Sequence, residues 1–172
     1  MAIEFVVEDG TGLSNSTSYV SVADFQQYWN NNGVDYTASP VTAVLQAWLN
    51  EATQFVDNSY TFCGDPIEED QALQLPQSDL YYKKVNPTTG NCYPVDGIPK
   101  EIKIAVYEIA HARQANPTAN TIDSNVSEKS IGPVRVKYNS SITSEAIKYT
   151  YSVANKQLSK ICQITGRYVE RI

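Results

Sequence analysis

Three stretches of this sequence hold residue types that could carry out acid–base chemistry. They are the acidic run Glu68-Glu69-Asp70, the turn Asp9-Gly10-Thr11-Gly12 and the only histidine, His111. Adjacent carboxylates in a run point in different directions, which is typical of a solvated surface rather than of a paired acid and base or a cation site. In the turn, a glycine separates the aspartate from Thr-Gly and so breaks the triplet of an aspartic protease.

His111 lacks the partners that a catalytic base needs. On the predicted helix it lies about 180° from the core residue Ile102, and no Ser, Cys or acidic residue is fixed at a useful spacing. We therefore predict a surface or interface residue. A phosphate-binding loop and a G-x-S-x-G motif are also missing from the sequence, so we predict a protein that is not an enzyme and that uses no cofactor.

The cysteines indicate neither a disulfide framework nor a metal site. Cys63, Cys92 and Cys162 are unevenly spaced, without a C-x-x-C pair, and His111 is at no zinc-ligand spacing from them. An odd count of this kind predicts small buried thiols in a reducing compartment. The N-terminus resembles no export signal and no apolar run is long enough to span a bilayer, so we expect a soluble protein without a membrane partner.

The charge is divided unequally along the 172 residues. The net charge is −6, but residues 1–100 hold 13 acidic and only 3 basic residues, whereas residues 101–172 hold 6 acidic and 10 basic ones. The net acidity argues against general attraction to nucleic acid. An acidic front and a basic back favour head-to-tail contact between copies, the geometry that builds rings.

The segment from Pro40 to Asn58 has the most regular helical pattern, and we expect it at the centre of the core. Its apolar stripe has a period of 3.6 residues and comprises Val41, Val44, Leu45, Trp48, Leu49, Ala52, Phe55 and Val56. Ser39 is a candidate N-cap, followed by proline at the first helical position.

Three more helices are predicted around this central one. The first begins after Ser21 and ends at the Asn30–Gly33 stop, with Val22, Phe25 and Trp29 on one face. The second runs from Ile98 to Asn116 and the last from Glu145 to Thr165. The inner stripes of these two are Ile98, Ile102, Ala105, Val106, Ile109 and Arg113, and Ile147, Tyr151, Ala154, Leu158 and Ile161.

Two non-helical regions complete the prediction. Residues 60–97 are rich in proline and glycine and form a long loop, in which Glu68–Leu75 could make one helical turn and Leu80–Val85 could pair with Asn91–Val95. Residues 126–138 alternate around Gly132-Pro133 and predict a second hairpin. We therefore expect one domain over residues 1–172, mainly α, built as a small antiparallel bundle of about four helices with an ordered loop and a β-hairpin.

Basic residues of the second half are the candidate partner interface. We expect Lys129, Arg135 and Lys137 on the outward face of the hairpin, basic residues on one side of the last helix, and a docking tail at residues 166–172. The candidate interface residues are Lys129, Arg135, Lys137, Lys156, Lys160, Arg167, Tyr168 and Arg171.

The order of several short motifs resembles one known family over residues 6–138. These motifs are Glu8-Asp9-Gly10-Thr11-Gly12, Ser18-Tyr19-Val20-Ser21-Val22, Glu51-Ala52-Thr53, Gln71-Ala72-Leu73, Ile98-Pro99 and Ser127-Glu128-Lys129-Ser130-Ile131-Gly132-Pro133-Val134. Together they resemble the head–tail connector (adaptor, or head-completion) proteins of tailed phages, some of which are labelled DnaT-like single-stranded-DNA-binding proteins. The sequence departs from that family at Leu73–Gln77, which lacks the usual tryptophan and arginine.

This resemblance implies a structural virion protein made in the host cytoplasm and located in the neck of the particle. It implies a ring, commonly of twelve copies, between the portal protein and a tail protein or second connector. The ring would seal the filled head and continue the DNA channel. Because each phosphate contact adds affinity that ejection must break, an acidic chain suits DNA that passes without specific binding. The tail, residues 166–172, would dock on the portal.

The alternative interpretation is a single-stranded-DNA-binding replication module of the DnaT type. Twelve tyrosines could stack on bases, but along the sequence they are scattered rather than interleaved with basic residues. Binding of oligo-dT at moderate salt separates this alternative from the adaptor.

Overall fold

The computed structural model describes residues 4–36, 40–115, 128–131, 134–137 and 152–161, with the side chains of residue 115 and of the last two strands not described. The helices in these ranges are α1 (Val22–Asn31), α2 (Thr42–Ser59), α3 (Lys100–Ala115) and α4 (Ser152–Leu158). The strands are β1 (Asp65–Pro66), β2 (Gln77–Ser78), β3 (Tyr81–Val85), β4 (Cys92–Pro94), β5 (Glu128–Ile131) and β6 (Val134–Lys137).

Helix α1 begins and ends where its sequence predicts. The Ser21 side chain accepts a hydrogen bond from the Asp24 N–H (3.1 Å), which satisfies a donor that the first helical turn leaves free. Gly33 lies just beyond the other end at φ +82°, a backbone conformation that suits glycine. Phe25 and Trp29 are buried, and the Trp29 indole N–H donates to the Tyr107 carbonyl on α3 (3.4 Å).

Helix α2 buries only one edge of its apolar stripe. Leu45, Leu49, Ala52 and Val56 are buried, largely against α3, whereas Val41 is 75% exposed. The predicted start is also wrong, because the helix begins at Thr42 without a side-chain cap, and Ser39 lies outside the described residues.

Helix α3 lies between α2 and α4 and provides the centre of the core. Its predicted inner residues from Ile102 to Ile109 are fully buried, and Arg113 pairs with Glu51 on α2 (3.2 Å). On α4, Ala154 and Leu158 are buried against α3, as predicted. The predicted end at Thr165 is wrong, because α4 ends at Leu158 and Ile161 forms a β-bridge with Tyr82. Residues 145–151 and 162–165 of the predicted helix lie outside the described residues.

The segment from residue 60 to 97 folds into two small antiparallel sheets, β1–β2 and β3–β4. The predicted pairing of its second half is confirmed, with Tyr81 opposite Pro94 and Val85 opposite Cys92. The predicted helical turn at residues 68–75 is wrong, since turns and bends occupy that stretch. Its apolar side chains reach the helical core, and the buried ones are Tyr60, Phe62, Leu73, Leu75, Leu80 and Val95.

The buried Tyr19 and the half-buried Asp57 attach this segment to the helices. The Tyr19 hydroxyl donates to the Asp57 carboxylate at the end of α2 (2.5 Å) and accepts from the Leu75 N–H (3.1 Å). The Gln74 N–H donates to the second oxygen of the same carboxylate (3.2 Å). Burial raises the pKa of both Tyr19 and Asp57. The segment is therefore fixed to the core by specific hydrogen bonds as well as by apolar packing.

The N-terminal turn is organised by a buried carboxylate. Glu8 is 4% exposed and accepts hydrogen bonds from the N–H groups of Gly10 (3.0 Å), Gly12 (2.9 Å) and Leu13 (3.0 Å). Both glycines have positive φ, which lets successive N–H groups converge on one anion. Glu8 therefore holds the turn together and is not a free acid.

The predicted hairpin at residues 126–138 is confirmed in its two strands. The register places Lys129 opposite Val136 and Arg135 opposite Ser130. The predicted outward basic face of Lys129, Arg135 and Lys137 concerns side chains that the structure does not describe, so it stays a prediction.

The prediction of a mainly α bundle is wrong. In the described part of the chain, four helices occur together with three two-stranded antiparallel sheets, which makes the fold mixed α/β. The physical reason is that residues 60–97 do not form a loop outside a helical core. The residues beside and between their short strands carry the buried apolar side chains that complete that core.

Candidate functional site

One groove lies where four separate elements meet. It has a volume of about 710 Å³ and is bordered by β3, β4, the start of α3 and the residues just after α4. Its lining residues are Tyr82, Lys83, Lys84, Tyr93, Pro94, Lys100, Glu101 and Lys160, and we refer to it as the lysine–tyrosine groove.

The groove gathers cations that are rare elsewhere in the first half of the chain. Residues 1–100 contain only three basic residues, Lys83, Lys84 and Lys100, and all three line the groove. Lys160 joins them from the basic half. All four side chains are exposed, and Glu101 is the one acidic residue in the lining. The groove is therefore a local positive site on a net acidic protein, which suits an anionic ligand.

Two tyrosines give the groove an aromatic wall. Tyr93 is 37% exposed, and the Lys84 ammonium lies 5.6 Å from the centre of its ring, within the range of a cation–π contact. The Tyr82 hydroxyl donates to the buried Glu101 carboxylate (3.1 Å). Burial, together with the Glu101 charge, raises the pKa of Tyr82 to about 12. Tyr82 is thus held in place, while Tyr93 presents its ring to the solvent.

Backbone contacts fix the positions of the lysines. The Lys83 N–H donates to the Lys160 carbonyl (2.8 Å), and Tyr82 forms an isolated antiparallel bridge with Ile161. The Val95 N–H donates to the Leu80 carbonyl (2.8 Å) and closes the base of the β3–β4 hairpin. Lys100 is the first residue of α3, whose N-terminal dipole adds to the positive potential. The charge cluster is therefore built into the fold.

A second, more neutral pocket adjoins the groove at the tip of the same hairpin. Its volume is about 550 Å³, and it shares Tyr93 and Pro94 with the lysine–tyrosine groove. The other residues of its lining are Tyr81, Asn86, Thr89, Asn91 and Cys92. Tyr93 therefore stands between a cationic surface and one that carries amide, hydroxyl and aromatic groups.

Of the predicted interface residues, Lys156 and Lys160 have side chains that the structure describes, and one of these two lies at this groove. Lys160 lines it, whereas Lys156 is exposed on α4 and is not part of the lining. Lys129, Arg135 and Lys137 lie in the strands β5 and β6. Arg167, Tyr168 and Arg171 lie outside the described residues.

The cysteines differ from their prediction. Cys63 is exposed and disulfide-bonded, so the expectation of a buried reduced thiol is wrong for it. Cys92 has a free thiol, as expected, but it is exposed and not buried. Cys162 lies outside the described residues. Among the described residues, no group of three or more His, Cys, Asp or Glu side chains is placed to hold a metal ion.

His111 belongs to an aromatic cluster of its own chain. Its ring stacks on Trp29 with centroids 4.0 Å apart, and its Nδ1 contacts the Tyr36 hydroxyl. Burial lowers its pKa, against the opposing effect of the Glu108 charge. The residue lies off the Ile102 stripe, as predicted, but it is half-buried by packing and not a bare surface group.

The sequence carried a local signal for the groove that the prediction missed. Tyr81-Tyr82-Lys83-Lys84 places aromatic and basic residues side by side, and the predicted hairpin brings Tyr93 next to them. This is the interleaving typical of nucleic-acid contact surfaces. The prediction treated all twelve tyrosines as one scattered set and so overlooked this local aromatic–basic stretch.

The comparisons with known proteins place the chain in a family. The family model described as "Putative DnaT-like ssDNA binding protein" matches residues 3–171. The chain belongs to this family. The DnaT-like part of the predicted resemblance is thereby confirmed, whereas no comparison supports the wider resemblance to head–tail connectors. Neither the curated proteins nor the solved structures include a significant match.

The described helices of this DnaT-like chain were compared with the length and hydropathy that a membrane-spanning helix needs. None of the helices that the structure describes is both long and apolar enough to cross a membrane.

Proposed function

We propose that this chain binds single-stranded DNA through the lysine–tyrosine groove. The observation that carries the proposal is the convergence of Lys83, Lys84, Lys100 and Lys160 beside the exposed ring of Tyr93. Membership of the DnaT-like family supports the same ligand.

The groove offers two kinds of contact to a single strand, one to its phosphates and one to its bases. Exposed lysine ammonium groups pair with backbone phosphates, which gives affinity without reading sequence. An unpaired base can stack on Tyr93 because its face is free, whereas a base inside a duplex is already stacked on its neighbours. The groove therefore favours single strands over duplex, with little preference among sequences. Binding and release involve no bond making or breaking, in keeping with a protein that we propose is not an enzyme.

The number of lysines sets the expected salt dependence. Each phosphate neutralised on a single strand contributes about −0.7 to the slope of log K against log salt concentration. Four lysine–phosphate contacts therefore predict a slope of roughly −3.

Fluorescence anisotropy with labelled oligo-dT tests the proposal. We expect saturable binding that weakens with salt and that unlabelled single strands compete away better than duplex of the same length. Absence of binding even at low salt would refute the proposed function, and equal competition by duplex would refute its preference for single strands.

A head–tail adaptor is the second candidate function. The division between an acidic front and a basic back favours it, as does an exposed apolar edge on α2, where Val41 is 75% and Val44 40% exposed. In this proposal, copies made in the host cytoplasm form a ring in the virion neck. The ring, with twelve subunits, contacts the portal and a tail protein or second connector, passes DNA without specific binding and needs no membrane.

Electron microscopy of the purified chain mixed with its portal protein discriminates between the two functions. A ring on the portal, together with no measurable oligo-dT binding, would favour the adaptor. Tight oligo-dT binding without any ring would favour the DNA-binding module.

A further inference from the structure

The four lysines of the groove have an acidic counterpart on another part of the same chain. Residues 65–70, which we call the acidic loop, contain Asp65, Glu68, Glu69 and Asp70, and all six residues are exposed. In the middle of the loop, Ile67 is 45% exposed. The loop thus presents four carboxylates around one apolar side chain.

Among the side chains that the structure describes, neither set of charges is neutralised by an ion pair. In the part of the chain that the structure describes, the ion pair formed is Arg113–Glu51, which involves no residue of the loop or the groove. No loop residue lines the groove of its own molecule. Four carboxylates and four ammonium groups are therefore both available to another molecule.

The acidic loop already has a fixed shape. Its first two residues pair with β2, Asp65 opposite Ser78 and Pro66 opposite Gln77. The Gln71 side-chain oxygen accepts hydrogen bonds from the N–H groups of Ile67 (3.0 Å) and Glu68 (3.2 Å). A loop ordered before binding loses little conformational entropy when it docks.

We propose that the acidic loop of one copy docks in the lysine–tyrosine groove of a second copy. The carboxylates pair with the four lysines, and Ile67 packs on the apolar wall formed by Tyr93 and Pro94. Because the loop and the groove are different surfaces, the contact is head-to-tail and can repeat along a chain of copies. The proposal rests on the proposed function in one respect: the loop and single-stranded DNA compete for the same groove.

This competition gives the groove a means of regulation. In a self-associated protein, the acidic loop of a second copy occupies the groove, and DNA must displace this loop in order to bind. Opposite charges that meet across an interface are weakened by salt, so self-association should be strongest at low ionic strength. Added oligo-dT should dissociate the assembly.

A charge-swap experiment tests the proposal. The variants are Glu68→Lys with Glu69→Lys, and Lys83→Glu with Lys84→Glu, all at exposed positions where substitution leaves the fold intact. Sedimentation velocity at low ionic strength should show that the wild type associates, that each double variant alone stays monomeric, and that an equimolar mixture of the two associates again. In the mixture, the unchanged loop of one variant meets the unchanged groove of the other.

Three outcomes would overturn the proposal: a wild type that stays monomeric, a double variant that associates like the wild type, or a mixture that stays monomeric although both variants keep the wild-type circular dichroism spectrum. Oligo-dT binding separates this proposal from the proposed function. The loop variant should bind oligo-dT at least as tightly as the wild type. If the charge swap restores association but no form binds oligo-dT, the proposed function fails and the docking contact stands.

Discussion

Tyr93 is the residue of the groove that we expect to stack on a DNA base. Its ring is exposed, borders two pockets and lies near the Lys84 ammonium group. An exposed ring next to cations can stack on any base, since every base has a π-face.

Replacing Tyr93 by alanine should weaken oligo-dT binding by about 1–3 kcal/mol, the contribution of one stacked base. Tyr93→Phe keeps the ring and should bind like the wild type. Fluorescence anisotropy at fixed salt measures both variants. Equal affinity for Tyr93→Ala and wild type would show that this ring does not contact the strand.

His111 provides a pH test of the aromatic cluster. Burial lowers its pKa in the folded state below the ordinary 6.5, so the unfolded chain binds the proton more tightly than the folded one. The stabilising contribution is therefore complete above about pH 6.5 and is lost as the pH falls through the folded-state pKa.

Proton NMR can follow this titration without assignment, because the chain has one histidine. The midpoint should lie below 6.5 in the folded protein and rise to that value in urea. In His111→Gln, the free energy of unfolding should depend less on pH across the same window. A folded-state midpoint at or above 6.5 would contradict the burial of the ring against Trp29.

At the scale of elements, the hydrogen bonds around Tyr19 hold the strands against the helices. The Tyr19 hydroxyl connects the end of α2, through Asp57, to the backbone of Leu75. Removing the hydroxyl leaves the half-buried Asp57 carboxylate and the buried Leu75 N–H with one partner fewer each.

Tyr19→Phe should therefore lower the free energy of unfolding by about 1–3 kcal/mol. Tyr81→Phe is the matched control, since Tyr81 is 41% exposed and its hydroxyl is 3.5 Å from Asp79. Urea denaturation should show no measurable change for this control. Similar losses for the two variants would mean that the Tyr19 hydroxyl does not anchor the segment.

The packing of α2 on α3 gives a second test at this scale. Leu49 is fully buried, so Leu49→Ala should cost about 2–5 kcal/mol, because it loses apolar contacts and leaves a cavity. Val41→Ala on the exposed edge should change stability by less than about 0.5 kcal/mol. Thermal and urea denaturation measure the stability of both variants. Equal losses of stability would contradict the observation that α2 buries Leu49 and exposes Val41.

The same helix shows how far sequence reasoning reaches. A period of 3.6 correctly predicted α2 and the burial of Leu45 and Leu49. It could not show which edge of a broad stripe the neighbouring helix covers, so Val41 and Val44 were wrongly placed in the core. Turn residues predicted the β3–β4 hairpin well, because Gly90 takes the positive φ that its tip requires. The packing of residues 60–97 into the core depends on distant contacts such as the hydrogen bond between Leu75 and Tyr19, which no local pattern reveals.

Sequence reasoning could have found only part of the candidate site. Tyr81 to Lys84 could have been recognised as an aromatic–basic stretch from the sequence. That Lys160 and Lys100 complete the cluster follows from the docking of α4 and α3 against β3, and that tertiary arrangement has no signature in local spacing.

At the scale of the whole molecule, the distribution of the charges matters more for binding than the net charge does. The net charge of −6 argued against nucleic acid when taken as an average. The fold gathers the scarce lysines of the acidic half into one groove, so a positive site exists in a negative protein. Repulsion from the rest of the surface should then restrict binding to this groove.

The salt dependence of oligo-dT binding in matched lysine variants tests the central claim most directly. Lys83→Ala with Lys84→Ala removes two groove charges, and Lys156→Ala removes an exposed charge outside the groove. The groove variant should bind more weakly and with a slope of log K against log salt shallower by about 1.4, whereas Lys156→Ala should match the wild type. Equal slopes for all three proteins would contradict the assignment of this groove as the DNA-binding site.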